Sequence, residues 1–379
     1  MTIGYSVLRK CRCKGLKFRA AMTVLEITRE SLAQCPKVLL HDHLDGGLRP
    51  ETIIALAEEM GYEDLPSKNK AELSEWMLNT AKQGNLELYL EAFTHTIAVM
   101  QTRESLHRVA TGCVEDLYND GVIYAEIRFA PELFQERGLL LSEVISAVLE
   151  GLDSGMKGRE IVVKAILCAM RSNTRSMEIV EIVSDFLEKG VVGFDIAGPE
   201  IDYPPHLHLE AFAYAQENRI PVTIHAGEAA GPEMIKEAVD VCSAGRIGHG
   251  VSVANEVTAL ESGFHLGPIA STVIEKGIPL EICPTSNLHT GVVDSFDEHP
   301  VDTLLRSGFQ VSVNTDNRLM SATSMSNEFW ECHNSFGWGW NEFKAITETS
   351  IHHAFLSPEE KNSIMKRIDS WYETKISRN

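Results

Sequence analysis

Several features are missing from this 379-residue sequence. No apolar run approaches the roughly 20 residues that a membrane-spanning helix needs, so no membrane span is expected. The eight cysteines are scattered, form no Cys-X-X-Cys pair, and in several cases lie in apolar runs. They read as reduced, mostly buried thiols of a reducing, cytoplasmic compartment and not as a disulfide framework. Basic charge is scarce, with 34 Lys and Arg against 54 Asp and Glu and a net charge of −20. That argues against a nucleic-acid partner, because neutralising phosphates requires a basic face. No Gly-rich phosphate loop follows the first strand, which weakens a doubly wound dinucleotide fold. No internal repeat or low-complexity linker divides the chain, so residues 22–379 read as a single domain. Residues 1–21 are set apart by Arg9, Lys10, Arg12, Lys14, Lys17 and Arg19, with no acid before Glu26. They lack the apolar stretch of about 7–15 residues that a secretory signal carries. A disordered basic extension is the expectation, with an organelle transit peptide as the alternative on charge grounds.

What is present is a regular alternation of apolar strands and amphipathic helices. Lys37-Val38-Leu39-Leu40-His41-Asp42-His43 reads as a buried strand that breaks at Gly46-Gly47. Strands follow at 122–129, 161–169, 191–196, 222–225, 246–247, 279–282 and 311–314. Helices are expected at 50–60, from Leu86 to Met100, over 106–117, from a Ser142 cap onward, at 177–187, 207–216 and 233–241, and at 301–305. Strands with little polar alternation, separated by helices, belong to a parallel sheet buried on both faces. Eight such units predict an α/β fold, a closed (β/α)8 TIM barrel, with extra helices on the N- and C-terminal sides. Trp330, Trp338, Trp340 and Trp371 read as packing residues of the C-terminal helices.

Active sites of such barrels lie at the C-terminal ends of the strands. Strand one ends at His41-Asp42-His43, strand five at His225-Ala226-Gly227-Glu228, strand six at His249 and strand eight at Asp316-Asn317. His41 and His43 share a face, because side chains i and i+2 of a strand point the same way. With His225 and Asp316 they form a nitrogen-rich ligand set with one carboxylate, which suits a single Zn2+. A metal in such a site brings the pKa of its water to around 7. Glu228 lies close to these ligands without being needed as one. A carboxyl in a water-poor pocket can serve as a general acid, although a helix N-terminal glutamate is the plainer reading. His249, between two glycines, can orient or deprotonate water, or can be a hydrogen-bonded core histidine. His206 with His208, and His352 with His353, lie on helical segments and do not present a shared face.

The segments 36–46, 120–132, 192–198, 224–228, 246–250, 283–287 and 314–316 together resemble the adenosine deaminase family of the amidohydrolase superfamily, in family order. The resemblance implies one zinc ion and hydrolytic deamination of adenosine and 2′-deoxyadenosine to inosine-type products and ammonia, a purine-salvage reaction. It implies zinc on His41, His43, His225 and Asp316. Glu228 would be the proton donor to purine N1, and His249 and Asp316 would act on the attacking hydroxide. Gly198 would offer its N–H to N3, and Asp45, helped by His43, would meet the ribose 5′-hydroxyl. Tyr89 and Phe93 suit an apolar lid and equally suit core packing. One position departs from the pattern: a second aspartate aimed at N7 is replaced by Asn317, whose amide donates at any pH. The related alternative is deamination of another 6-aminopurine compound, aminofutalosine or adenine. A carboxylate at Asp45 argues against AMP. The absence of a lysine from strand four favours one metal over two.

Overall fold

The computed structural model describes residues 25–84 and 86–375. The basic leader, with Cys11 and Cys13, lies outside them. The strands, in chain order, are β1 (Lys37–His43), β2 (Val122–Phe129), β3 (Val162–Met170), β4 (Val191–Ala197), β5 (Thr223–Ala226), β6 (Arg246–His249), β7 (Leu280–Ile282) and β8 (Val311–Val313). The first four and the last four form two parallel sheets in sequential order. Parallel bridges from Phe194 to Val222 and from Asp42 to Asp316 join the sheets at both seams. The result is the expected (β/α)8 barrel, with strands within two residues of their expected positions.

The outward faces of the strands and the apolar faces of the helices form one continuous core reaching from Leu32 to Tyr372. The helix Arg103–Asn119 buries Leu106, Val109, Ala110, Cys113 and Leu117. Its start is set by a reciprocal cap between Thr102 and Ser105. The next helix, Leu141–Met156, does not start from Ser142. Its first free N–H, at Leu140, donates to the Glu143 carboxylate at 2.9 Å, so a carboxylate caps where a hydroxyl was expected. The single helix expected from Leu86 to Met100 is two, Leu86–Glu91 and Phe93–Ala98, separated at Ala92. An antiparallel hairpin pairing Val257–Ala259 with Phe264–Leu266, and helices Pro268–Glu275 and Pro284–His289, were not anticipated. The helices Met325–Phe336, Trp340–His353 and Pro358–Lys375 complete the C-terminal side. Trp338 and Trp340 are buried, and Trp330 and Trp371 pack against the core. Cys35, Cys113, Cys168, Cys242, Cys283 and Cys332 are buried and free. No helix among the described residues is long and apolar enough to cross a membrane.

Glu328 shows how the C-terminal helices brace the barrel mouth. It is fully buried, accepts from Thr323 Oγ1 at 2.5 Å and from the Thr285 N–H at 3.2 Å, and so holds the start of Pro284–His289. Burial pushes its carboxyl up from 4.5 to about 7. A raised folded pKa means that the native state binds this proton more tightly than the unfolded chain. Its stabilising contribution is present below about pH 4.5 and is lost as pH rises to about 7. Glu328→Gln is therefore expected to gain stability relative to the parent on going from pH 5 to pH 8, read from urea unfolding of both proteins. Parallel pH profiles would refute the assignment.

Candidate metal-dependent active site

The seam between β1 and β8 assembles the centre of the site. The His43 N–H donates to the Asp316 carbonyl at 2.7 Å, and the Asp316 N–H donates to the His41 carbonyl at 3.0 Å. Asn314 Oδ1 accepts from the N–H groups of Leu40 and His41 at 2.9 and 3.2 Å. Main-chain pairing thus places Asp316 beside both histidines. Asp42, between them, is buried and accepts from Thr315 Oγ1 at 2.7 Å and Arg318 Nε at 3.0 Å. Asp316 and His249 both adopt the left-handed region, with φ of 56° and 60°. Such backbone costs about 1–3 kcal/mol per non-glycine residue and concentrates at functional sites.

Five potential donors converge. One ligand atom each from His41, His225, His249 and Asp316 lie within 4.8 Å of one another. His43 Nε2 is 3.2 Å from His225 Nε2 and 3.4 Å from Asp316 Oδ1. His41 Nε2 is buried without a hydrogen-bond partner, with Asp316 Oδ1 at 3.3 Å. Burial lowers the His41 imidazole to about 4, assisted by the positive charge of Arg128, and lowers His43 well below its usual range. Burial works against ionising Asp316, yet the His41 contact and the surrounding imidazoles hold its carboxyl well below the usual range. Neutral imidazoles around an ionised carboxylate are the donor set of a divalent transition metal, so these residues fit a bound metal.

Behind the imidazoles lies a second ring of charge. His41 Nδ1 is 3.1 Å from Glu281 Oε2, and His225 Nδ1 is 2.9 Å from Asp195 Oδ2. At His41 the carboxylate bonded to the far nitrogen fixes the tautomer and leaves the near lone pair free for a metal, whereas His225 Nδ1 lies close to Asp195 without forming a hydrogen bond. Arg128 spans these two carboxylates, at 2.7 Å from each. Arg246 binds Glu281 at 2.6 Å and Glu126 at 2.5 Å. Ser286 Oγ donates to Asp316 Oδ2 at 2.6 Å.

Glu228 stands across the centre, with Oε2 3.6 Å from His249 Nε2 and Oε1 accepting from Thr290 Oγ1 at 3.2 Å. Burial raises its pKa, the Asp316 charge adds to this, and His249 opposes it. Its loop is held by Glu200, which accepts from four successive N–H groups, Gly227 to Ala230, at 2.5–3.0 Å. Gly227, at φ 73°, allows the loop to turn, and a Cβ there would press on Ser252 and Ile235.

Of the residues singled out in the sequence, His43, Asp45, Tyr89, Phe93, Gly198, His225, Glu228, His249, Asp316 and Asn317 line one pocket of about 170 Å³. His41 is buried beneath it. Asp45 is buried with Oδ1 unpartnered, and burial pushes its carboxyl up to about 7. Asn317 Oδ1 is also unpartnered and packs against Gly46, where any Cβ would collide with it. The Tyr89 and Phe93 rings are 6.2 Å apart, and the Tyr89 hydroxyl is 3.2 Å from Ser321 Oγ. A larger cleft of about 740 Å³ lies on the other side of Glu228. It holds none of the candidate metal ligands.

Arg128, Asp195, Glu281, Glu200, Ser286 and Asn287 were given no individual role in the sequence reading, although Arg128, Asp195, Ser286 and Asn287 lie inside segments that carry the resemblance. The available signal was charge inside apolar strands: Glu126 and Arg128 in β2, Asp195 in β4 and Glu281 in β7. Arg128→Met leaves the buried Asp195 without its cation and Glu281 with Arg246 alone. A loss of roughly 3–5 kcal/mol in urea unfolding is expected, together with metal content. Glu200→Gln should instead retain metal and lower kcat, and metal analysis with steady-state kinetics separates the two.

Residues 36–371 match the family model described as Adenosine deaminase. The adenosine deaminase of Mycobacterium ulcerans (strain Agy99) is 49% identical over 347 residues, covering 90% of this chain and 96% of that protein. The crystal structure of adenine deaminase from Arthrobacter aurescens has a TM-score of 0.80 at 25% identity, covering 89% of this chain and 99% of that one. The N6-mAMP deaminase of arabidopsis has a TM-score of 0.78 at 26% identity, covering 90% and 99%. With most of the chain inside the family model and about half of the aligned positions identical to such a relative, this chain belongs to the adenosine deaminase family.

Proposed function

We propose that the protein catalyses the hydrolytic deamination of adenosine and 2′-deoxyadenosine in cytoplasmic purine salvage: nucleoside and water give the 6-oxo nucleoside and ammonia. The observation that carries this reading is the buried Glu228 carboxyl set 3.6 Å from His249, which in turn lies 4.0 Å from Asp316, in the pocket that also holds His43 and His225. One zinc ion would be held by His41, His43, His225 and Asp316. When bound, it supplies the Lewis acidity that activates water at neutral pH.

The chain's own groups account for the rest. Glu228, whose protonated form is favoured by burial, gives its proton to purine N1 and draws electron density from C6. His249 and Asp316 hold the attacking oxygen toward C6. The N–H of Gly198 meets N3, and an Asn317 N–H meets N7. Asp45 accepts the 5′-hydroxyl of ribose, with His43 beside it. A 5′-phosphate would face this buried carboxyl, so a nucleoside is favoured over the corresponding monophosphate. Tyr89 and Phe93 cover the purine and exclude water.

An ultraviolet assay with adenosine, 2′-deoxyadenosine, adenine, AMP and aminofutalosine tests the reading. The two nucleosides are expected to turn over, and turnover of none of the five compounds would reject a deaminase. Glu228→Gln is expected to lower kcat by about 10²–10⁴-fold. Chelation should abolish turnover and Zn2+ restore it. Asn317→Asp is expected to retain measurable activity, and a loss as deep as that of Glu228→Gln would reject the N7 role given to Asn317.

A further inference from the structure

His249 sits at the end of a buried hydrogen-bond chain whose far end is a main-chain N–H. The Val301 N–H donates to His299 Nδ1 at 3.1 Å. A peptide N–H can only donate, so Nδ1 of His299 is an acceptor, and the proton of the neutral ring is on Nε2. That nitrogen lies 3.2 Å from Asn287 Oδ1, which accepts from it. With its oxygen so engaged, Asn287 turns Nδ2 toward His249 Nδ1, at 3.1 Å. Nδ1 of His249 therefore accepts as well, and its ring proton is on Nε2, the nitrogen that faces Glu228 and Asp316 at 3.6 and 4.0 Å. The opposite setting of the Asn287 amide would offer an N–H to His299 Nε2. It would ask both nitrogens of one neutral imidazole to accept, which that ring cannot do. All three side chains are at most 3% exposed, so water is not at hand to replace a lost partner.

We propose that Asn287 and His299 are positioning residues that impose the Nε2–H tautomer on His249, so that His249 serves the reaction as a hydrogen-bond donor to the attacking oxygen. The assignment of an attacking oxygen rests on the deaminase reading above; the tautomer rests only on the hydrogen-bond chain. A donor tautomer does not take the proton of water. That duty falls to a carboxylate of the site. It also sets His249 apart from His41, whose far nitrogen is hydrogen-bonded to the Glu281 carboxylate and whose near nitrogen carries the lone pair. His299 reaches the reaction only through Asn287 and His249, from the segment between Pro284–His289 and the helix Val301–Arg306.

The test begins with the unaltered full chain. Two-bond proton–nitrogen correlation spectra of 15N-histidine-labelled protein, with His249→Asn used for assignment, should show a protonated Nε2 and an imine-type Nδ1 on His249. The opposite pattern overturns the proposal, whatever the protein's substrate. Asn287→Asp is nearly isosteric and still accepts from His299, but offers His249 Nδ1 an acceptor. It should move the proton to Nδ1 and lower kcat by about 10²–10³-fold, the usual cost of one misdirected preorganised donor, with KM changed less than about 3-fold. His299→Leu should lower kcat, and His299→Gln, which restores an N–H donor toward Asn287, should recover most of that loss. Equal losses in the Leu and Gln variants, or an Asn287→Asp protein with parental kcat, would overturn the proposal. Failure of the parent to deaminate any purine nucleoside removes the deaminase reading but leaves the spectroscopic result as the test of the tautomer.

Discussion

The guanidinium of Arg128 is the interaction on which the rest of the molecule depends. It lies fully buried inside the barrel, bonded to Asp195 from β4 and Glu281 from β7. Each of those carboxylates holds an imidazole, and the two imidazoles come from β5 and β1. One cation thus ties four strands to the same point. Without it, Asp195 would carry unbalanced charge in the barrel interior and Glu281 would keep only Arg246, and unbalanced buried charge is far more costly than an exposed one. With it, both remain ionised: burial pushes them up, but Arg128 and the imidazoles hold them far below the usual carboxylate range. The barrel closes around a charge pattern as well as around an apolar core.

The same economy governs the mouth of the barrel. Asp316 and His249 bend out of their strands into left-handed backbone, and each is locked from outside. Asp316 is locked by main-chain pairing with His41 and His43, and His249 by its neighbours in the chain to Val301. Strain can persist here because the surroundings over-determine it. The segment that carries Tyr89 and Phe93 is attached differently: Tyr89 meets Ser321, the Gly84 N–H donates to the His289 carbonyl at 3.0 Å, and both rings pack into the core.

Much of this was legible in the residues. The strand ends of β1, β5, β6 and β8 named His41, His43, His225, His249 and Asp316, because a parallel barrel presents those ends on one rim and imidazole pairs at i and i+2 are visible by eye. The interior ring was not legible. Arg128 and Glu281 look like interruptions of apolar strands until the ring closes and shows that they meet. Glu143 capping Leu140 escaped notice because a carboxylate three residues on can replace the hydroxyl that pattern reading seeks. Asn287 and His299 were silent for another reason. Their effect passes through two hydrogen bonds whose direction only three-dimensional placement reveals. The hairpin at Val257–Ala259 is short and half exposed, so it carries almost no hydrophobic periodicity.

Glu200 follows Gly198 by two residues and, through four N–H groups, grips the loop that bears Glu228. Under the roles proposed here, the group that meets purine N3 and the group that protonates N1 sit on two segments that Glu200 clamps together. The span between two ring nitrogens is then gauged by the protein before any chemistry begins. A six-membered ring that seats one nitrogen correctly delivers the other to the acid, and a ring of different size misses it. Selection of the base and delivery of the proton become a single mechanical act, performed by a carboxylate that touches neither.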